Sequence, residues 1–243
     1  YYRVCDNGEL CTTSQNYSFK VNECVLKNVL VIEEHTSENQ SGNYFNALAG
    51  DYCVTAWQVD KSSVPPVDYA SSFNAVAWLG GSTWFSNDDN VSSFIKTFLQ
   101  GTKRLIIEDP NLALVQGNNF MQEVTHSNFD HSLYNYYGYV PLDISLIQTT
   151  NHPLFNNLPD TMLFNNSLSS NAISLNPVDG GVVLANWSFN GSITPAIIAS
   201  TTEEEKLIYL PFVSTALQDN QPALIKNMVE WLLTDAQNAD LTV

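Results

Sequence analysis

Short apolar runs alternate with helical patterns along most of the chain, and this alternation predicts a parallel sheet with crossover helices. The runs are NVLVIEE (28–34), YCVTAWQVD (52–60), FNAVAWLGG (73–81) and KRLIIEDP (103–110). Runs of this length, rich in β-branched residues, are typical of strands that are buried on both faces of a sheet. The expected unit is therefore a strand, a helix and a second parallel strand, repeated along the chain.

Two segments carry the residue spacing of amphipathic helices. The first follows the capping residues at 87–89, ends at Gly101 and has one apolar stripe, formed by Val91, Phe94, Ile95, Phe98 and Leu99. The second spans 222–233, begins with proline and has an apolar face formed by Leu224, Ile225, Met228, Trp231 and Leu232. Short helices are also expected near 44–49 and 120–124.

Three further runs, at 181–187, 195–201 and 206–212, are separated by turns short enough for antiparallel pairing. The stretch 111–170 shows few regular elements and is interpreted as an elaborated insertion. The predicted fold is α/β, with a doubly wound, mostly parallel sheet and an antiparallel hairpin extension.

The two ends of the chain have a different pattern. Residues on both sides of Asp6-Asn7-Gly8 alternate between apolar and polar, which predicts a short β-sandwich-like hairpin at the N-terminus. It resembles the last two strands of an immunoglobulin-like or fibronectin-like module, and the final NADLTV resembles the first strand of another. We expect residues 1–25 to end a preceding module, or to form a terminal hairpin of the central sheet. Residues 26–236 form the α/β domain, and 237–243 form a linker or the first strand of a following module.

Composition narrows the class of protein. Nine Lys and Arg against 25 Asp and Glu give a formal charge of -16, which repels phosphate backbones and anionic lipids and argues against nucleic acid as a partner. The chain has no run of about 18 apolar residues, so direct insertion into a membrane is not expected. A charged fraction of 14%, with Asn, Ser and Thr supplying the polarity, is common in secreted proteins. A start at Tyr1 instead of Met indicates processing or excision from a larger protein.

Sequons and cysteines also favour an extracellular or cell-surface location. Six Asn-x-Ser sequons occur, at Asn16, Asn39, Asn90, Asn165, Asn186 and Asn190. Asn90 is the weakest candidate because it opens a predicted helix. The four cysteines lie in the first quarter of the chain without a metal-binding pattern, and are predicted to form disulfides. One of three possible pairings joins Cys5 to Cys11 and Cys24 to Cys53.

Together the segments VLVIEE, WQVD, FNAVAWLGG, QGTKRLIIEDPN, KLIYLPF and MVEWLL resemble the class I glutamine amidotransferase-like superfamily, which has a flavodoxin-like fold. The resemblance covers most of residues 26–235. It is closest to the amidotransferase-like domains that occur in large secreted proteins beside immunoglobulin-like repeats. These shared patterns specify the fold far better than the function.

The catalytic residues of that superfamily are not found at the matching positions. Its enzymes carry a cysteine on the turn after the strand that matches 104–108, where this chain reads Glu108-Asp109-Pro110-Asn111. Pro110 also removes a backbone amide that an oxyanion hole would use. The histidine and acidic partner would follow the strand that matches 206–210, where the chain reads PFV. The resemblance therefore implies a domain without amidotransferase activity, and we predict that the chain is not an enzyme.

Ser82 is the candidate nucleophile of an alternative, hydrolytic function. It follows a strand in Gly80-Gly81-Ser82-Thr83-Trp84, which matches the first half of a nucleophile elbow, but Trp84 replaces the second glycine. The other interpretation of Ser82 is a loop serine that caps a turn.

The four histidines are His35, His126, His131 and His152. His126 and His131 lie five residues apart with Asp130 between them, a spacing that places the two rings on no common helix face, so solvated loop positions are favoured over a metal site for this pair.

Carboxylates at strand ends offer a candidate calcium site. Glu33, Glu34 and Asp109 follow the carboxyl ends of predicted strands, where open α/β sheets bind ligands, and oxygen ligands suit calcium. The alternative is a polar rim whose acids cap helices or accept hydrogen bonds from backbone amides. A group of tyrosines either stacks on sugars or packs within the insertion: Tyr134, Tyr136, Tyr137 and Tyr139.

The leading functional hypothesis is a non-catalytic structural or assembly domain of an extracellular cell-surface glycoprotein, such as an S-layer, adhesin or filament component. Its expected partners are other modules of the same protein or identical subunits, and surface glycans. One alternative is a carbohydrate- or calcium-binding accessory domain of a secreted hydrolase, with calcium as the candidate cofactor. Another is a hydrolase that uses Ser82.

Overall fold

The structure is a computed structural model that describes residues 4–5, 11–12, 26–34, 40–59, 64–80, 89–101, 104–133, 144–165, 172–202 and 205–234. The strands are β1 (Val4–Cys5), β2 (Cys11–Thr12), β3 (Asn28–Glu34), β4 (Cys53–Val59), β5 (Ala75–Leu79), β6 (Arg104–Glu108), β7 (Ser127–Ser132), β8 (Ser145–Gln148), β9 (Thr161–Leu163), β10 (Ile173–Pro177), β11 (Val182–Phe189), β12 (Ser192–Thr201) and β13 (Lys206–Leu210). The α-helices are α1 (Gln40–Leu48), α2 (Val67–Ala70), α3 (Asp89–Gly101), α4 (Leu112–Val115), α5 (Asn118–Thr125) and α6 (Gln221–Leu233). Two 3-10 helices span Pro153–Phe155 and Ser214–Asn220.

Within the described residues, one mixed sheet of nine strands has the order β4-β3-β5-β6-β13-β12-β11-β8-β9. Strands β4, β3, β5, β6 and β13 run parallel. In chain order this parallel core reads second, first, third, fourth, fifth, which is the flavodoxin-like order. The predicted α/β fold is confirmed at this level.

Helices cover both faces of the parallel core, as a doubly wound sheet requires. Helices α1 and α6 pack on one face, where residues such as Val31, Ile106 and Leu224 form a first core. Helices α2 to α5 pack on the opposite face, where residues such as Leu30 and Ile107 form a second core. Side chains alternate between the two cores along each strand, which explains the continuous apolar runs in the sequence.

The antiparallel part of the sheet, beyond β13, differs from the prediction. Strands β12, β11, β8 and β9 add antiparallel to β13, so the extension is four strands wide and not a single hairpin. Two of these strands, β8 and β9, come from the stretch 111–170 that was predicted to be irregular. The same stretch also contains α4 and β7, which were not predicted, and α5, which confirms the short helix predicted near 120–124. Strand β7 pairs with β10 in a separate two-stranded sheet.

The predicted N-terminal hairpin is only partly within the described residues. Strands β1 and β2 pair antiparallel, and Cys5 lies directly opposite Cys11. Cys53, at the start of β4, is disulfide-bonded. The pairing of Cys24 with Cys53 therefore stays a prediction, as does the boundary at residue 25. No helix among the described residues is long and apolar enough to cross a membrane.

Candidate functional site

Four carboxylates lie at the carboxyl edge of the parallel core, where ligands bind in open α/β sheets. Glu33 and Glu34 end β3, Glu108 ends β6, and Asp109 follows it. All four are at most 1% exposed. Because side chains alternate along a strand, Glu33 and Glu108 lie on the face covered by α1, and Glu34 and Asp109 lie on the opposite face.

Glu33 joins the end of β3 to the start of α1. Its Oε1 accepts a hydrogen bond from the Gln40 backbone amide at 2.6 Å, and its Oε2 accepts one from Ser41 Oγ at 2.5 Å. A carboxylate at a helix N-terminus satisfies amides that have no partner within the helix, and it interacts favourably with the helix dipole. Glu33 therefore acts as a helix cap.

Glu108 is the centre of a buried hydrogen-bond network. Its Oε1 accepts a hydrogen bond from the Tyr44 hydroxyl at 2.6 Å, and its Oε2 accepts one from the Ser214 backbone amide at 2.9 Å. Ser214 Oγ in turn accepts from Gln221 Nε2, at the start of α6. Burial raises the pKa of Glu108 above its usual value, although the hydrogen bonds from Tyr44 and Ser214 lower it. The network ties β6 to α1 and to the segment that leads into α6.

Asp109 occupies the strand-to-helix turn where the amidotransferase resemblance places a cysteine. Its Oδ1 accepts hydrogen bonds from the backbone amides of Asn111 at 2.8 Å and Leu112 at 2.9 Å, so it caps α4. Its own amide donates to the carbonyl of Leu210, and its carbonyl accepts from the Tyr209 hydroxyl. The turn is thus fixed to β13 on one side and to α4 on the other.

Gly80 lies directly against the Asp109 side chain. A Cβ at Gly80 would come within 2.2 Å of Asp109 Cγ and 2.3 Å of Oδ2. The Gly80 amide also donates to the Glu108 carbonyl at 2.8 Å. Only a residue without a side chain fits beside this carboxylate, so the first glycine after β5 is explained by packing.

The predicted calcium ligands, Glu33, Glu34 and Asp109, do lie at one edge of the sheet. Glu33 and one oxygen of Asp109 cap helices, as in the alternative interpretation. Among the described residues, no group of three or more His, Cys, Asp or Glu side chains is arranged to hold a metal ion. Ser82 and His35 lie outside the described residues, as do all four tyrosines of the 134–139 group.

The three described histidines occupy different parts of the fold and are not solvated loop residues as a group. His152 is buried beside Trp231, with ring centroids 5.3 Å apart, and its Nδ1 accepts from the Leu154 amide. Burial, with a contribution from Lys206, lowers the pKa of His152 to about 4. His152 directly precedes the 3-10 helix Pro153–Phe155 and packs against α6 through Trp231.

His126 and His131 lie on either side of the start of β7. His126 ends α5 with a φ of 51°, contacts the carbonyl of Asp179 through Nδ1 and lies 3.6 Å from Glu205 Oε1 through Nε2. The nearby Glu205 carboxylate raises the pKa of His126, against the effect of burial. His131 lies within β7, where its Nδ1 is 2.7 Å from Asp130 Oδ2.

The sequons differ in accessibility. Asn190 is exposed at the tip of the β11–β12 hairpin, where it and Gly191 have φ values of 46° and 79°. Positive φ at both central residues is the geometry of a type I′ turn, for which Asn-Gly is the preferred sequence. Asn165 and Asn186 are half-buried. Asn16 and Asn39 lie outside the described residues, as does the side chain of Asn90.

No protein-family model matches the chain, and none of the curated proteins does. The chain is similar to the solved structure of a ThuA-like protein from Bacteroides uniformis ATCC 8492, with a TM-score of 0.61 and 14% identity over 90% of this chain and 98% of that one. It is also similar to Agd3, a carbohydrate deacetylase, with a TM-score of 0.58 and 14% identity over 84% of this chain and 32% of Agd3. A third match is PurLQS from Thermotoga maritima, with a TM-score of 0.51 and 12% identity over 86% of this chain and 98% of that one.

These likenesses concern the fold, because the identities are low. The chain spans about a third of Agd3 and nearly the whole of the other two. Two of the similar structures carry enzyme names: Agd3 and an exo-β-1,4-mannosidase from Opitutaceae bacterium strain TAV5, the latter with a TM-score of 0.55 and 10% identity over 90% of this chain and 37% of that one. The ThuA-like protein and PurLQS are consistent with an amidotransferase-like α/β fold for this chain.

Proposed function

We propose that this chain is a non-catalytic, amidotransferase-like module of an extracellular cell-surface glycoprotein, with a structural or assembly role. The observation that carries the proposal is the turn after β6. At the position where the resemblance requires a reactive thiolate, Asp109 is buried and caps α4, and Pro110 follows it. Glu108, the residue before the turn, is engaged by Tyr44 and Ser214 and is also buried.

A carboxyl group that acts on a substrate must reach the substrate. At this edge, one oxygen of Asp109 and both oxygens of Glu33 and Glu108 accept hydrogen bonds from neighbouring elements of the fold. These contacts hold strands and helices together. They support a structural role for this end of the sheet in this chain. In enzymes with similar folds, the same end carries the catalytic site.

The enzymes among the similar structures named above share at most 14% identity with this chain, so they support its fold and not an activity. Agd3 offers a model for the arrangement, because a region like this chain makes up about a third of its length. A fold of this kind within a longer carbohydrate-active protein is compatible with an accessory or spacer role.

Mass spectrometry of the native protein tests the extracellular part of the proposal. We expect glycans on asparagines of the sequons and no free thiol at any of the four cysteines. Peptides linked by disulfides would also establish the pairing, including whether Cys24 is bonded to Cys53. Free thiols together with unmodified asparagines throughout the chain would contradict the proposal.

A carbohydrate-binding accessory role is the second candidate, and a surface aromatic group favours it. Trp57 on β4 lies 5.6 Å from Tyr69 on α2, which lies 5.2 Å from Phe73, measured between ring centroids. Tyr69 is 40% exposed, and β4 is an outer strand of the sheet. Aromatic rings with one exposed face bind the apolar faces of sugars.

A glycan array with the isolated chain distinguishes the two candidates. Binding that is lost in Tyr69→Ala and kept in Phe45→Ala, a change at a similarly exposed aromatic residue on α1, would favour the accessory role. An array without binding would favour the structural role.

The calcium and hydrolase alternatives have direct tests. Calorimetry with Ca²⁺ at millimolar concentration should give no heat if Glu33 and Asp109 only cap helices. Any esterase activity that is unchanged in Ser82→Ala would remove Ser82 as a nucleophile.

A further inference from the structure

Two rows of side chains cross the antiparallel side of the sheet on the same face. In the first row, Leu163 of β9 lies opposite Ser145 of β8, which lies opposite Ser188 of β11, which lies opposite Ile193 of β12. In the second row the corresponding order is Thr161, Ile147, Asn186 and Pro195. Directly opposite residues of antiparallel strands point to the same side.

This face is open to solvent at its outer corner. The intervening row, Met162, Leu146 and Trp187, is buried in the core beneath α6, so the two rows point away from that core. Leu163 is 80% exposed and Ile193 is 65% exposed. On the same side of the sheet, helices α2 to α5 and the two-stranded sheet of β7 and β10 cover the parallel part and the adjoining parts of β11 and β12, where Ile198 and Val183 belong to that core.

An open sheet face with exposed apolar residues beside an outer strand is an association hazard. Natural sheets usually protect such a face with charged side chains. The chain has a net charge of -16, but none of the eight residues in the two rows is charged. Charged side chains therefore do not protect this surface from association, and another group must cover it.

The sequon Asn186-Trp187-Ser188 has its two recognition residues on this face. Asn186 lies in the second row, between Ile147 and Pro195. Ser188 lies in the first row, between Ser145 and Ile193. Trp187, between them in sequence, points into the core. We propose that an N-linked glycan on Asn186 covers this open face and packs the apolar faces of its first sugars on the aliphatic side chains around it. The proposal rests on the extracellular glycoprotein function proposed above.

The modification is a glycosyl transfer to the side-chain amide. Asn186 Nδ2 loses a proton and bonds to the anomeric carbon of an oligosaccharide, whose bond to its lipid diphosphate carrier breaks. Because Asn186 is half-buried, its side chain lies close to the sheet, and the attached sugar would be held against it. A glycan on the exposed hairpin tip at Asn190 lacks this surface.

A matched pair of substitutions at Ser188 tests the proposal in the full chain, secreted from a eukaryotic host. Ser188→Ala removes the sequon and keeps Asn186, whereas Ser188→Thr changes the same residue and keeps the sequon. Asn190→Gln removes the neighbouring sequon and serves as the control. The measurements are the glycan mass on the Asn186 peptide, the elution volume on size exclusion, and the fluorescence of a dye that binds exposed apolar surface.

We expect a glycan on Asn186 in the wild type and in Ser188→Thr. Ser188→Ala should lose it, bind more dye and elute as larger assemblies, while Asn190→Gln should behave as the wild type. If Ser188→Ala is not secreted, enzymatic removal of glycans from folded wild type and from folded Asn190→Gln should give the same rise in dye binding.

Three results would overturn the proposal. An unmodified Asn186 beside occupied sequons elsewhere would do so and would leave the proposed function intact. A glycan on Asn186 whose removal changes neither dye binding nor elution would also do so. A wild-type dimer that persists unchanged in Ser188→Ala would assign the face to a second copy of this chain. Unmodified asparagines at every sequon would count against the proposed function as well.

Discussion

The carboxyl group of Asp109 rests on the backbone of Gly80, so closely that a Cβ on Gly80 would be 2.2 Å from Asp109 Cγ. This contact joins the ends of β5 and β6 at the edge of the sheet where ligands bind in related folds. Since Asp109 also caps α4, any shift of its side chain away from Gly80 disturbs the cap.

Gly80→Ala is therefore expected to destabilise the fold by about 1–3 kcal/mol, the usual cost of inserting a methyl group into a packed site. Urea unfolding measures the change. Gly117→Ala is the control, because a Cβ there meets nothing within 4 Å. In an Asp109→Ala background the Gly80 substitution should cost less, since the two nearest atoms, Asp109 Cγ and Oδ2, are gone and only the Cβ of residue 109, at 2.7 Å, still has to move. Equal costs in both backgrounds would contradict the contact.

Lys206 is expected to stabilise the end of α6 from within the structure. Its Nζ donates to the carbonyls of Trp231 and Thr234 and lies 5.0 Å from the centroid of the Trp231 ring. Lys206→Met should lower the free energy of unfolding by about 1–3 kcal/mol, because two charge-assisted hydrogen bonds, one of them buried, and the contact with the Trp231 ring are lost. Lys96→Met, which removes an exposed ion pair with Glu123, should cost at most about 1 kcal/mol. Similar losses of unfolding free energy in Lys206→Met and Lys96→Met would argue against this role of Lys206.

The pH dependence of stability tests the buried network around Glu108. Burial raises the pKa of Glu108 above its usual value of 4.5, so its contribution is fully present below that pH and is lost as pH rises through the folded-state pKa. From acid to neutral pH, the wild type should therefore lose unfolding free energy relative to Glu108→Gln. Denaturation at several pH values gives this difference, with Glu123→Gln as an exposed control. A difference that does not vary with pH would contradict the assignment.

His126 should give a second pH dependence of stability, at the end of the sheet opposite Glu108. The ion pair with Glu205 raises the pKa of His126 above 6.5, so the stabilisation is complete below that value and is lost as pH rises through the folded-state pKa. His126→Asn keeps a residue that tolerates positive φ, and its destabilisation should be larger at pH 6 than at pH 9. Glu205→Gln should remove the same pH dependence, and an undiminished dependence in that variant would exclude Glu205 as the partner.

The sequence predicted the elements whose signal is local. The buried runs that became β3, β5 and β6 are apolar throughout, and the stripes that became α3 and α6 have clear starts and stops. Strands β8 and β9 were missed because they are only four and three residues long. The position of β8 depends on pairing with β11, about forty residues away in the chain, and β9 pairs only with β8, so no local pattern encodes their place in the sheet.

The site was predicted in part for a similar reason. Strand ends indicated that Glu33, Glu34 and Asp109 would share one edge of the sheet. Glu108 was missed as a site residue, although a carboxylate at the last position of a buried run was a usable signal. The partners of Glu108, Tyr44 and Ser214, are 64 and 106 residues away along the chain, so the network appears only in the folded structure.

We infer that the turn at Asp109 connects β6, α4 and β13 and has no catalytic role. The substitution Asp109→Asn tests this inference most directly. The amide oxygen of Asn can still accept from the amides of Asn111 and Leu112, so the cap is kept while the charge is removed. Turnover of glutamine and of simple acetyl esters should be measured for the wild type and this variant under identical conditions. We predict no turnover above background in either protein. Turnover by the wild type that is lost in Asp109→Asn, at unchanged stability, would contradict the claim.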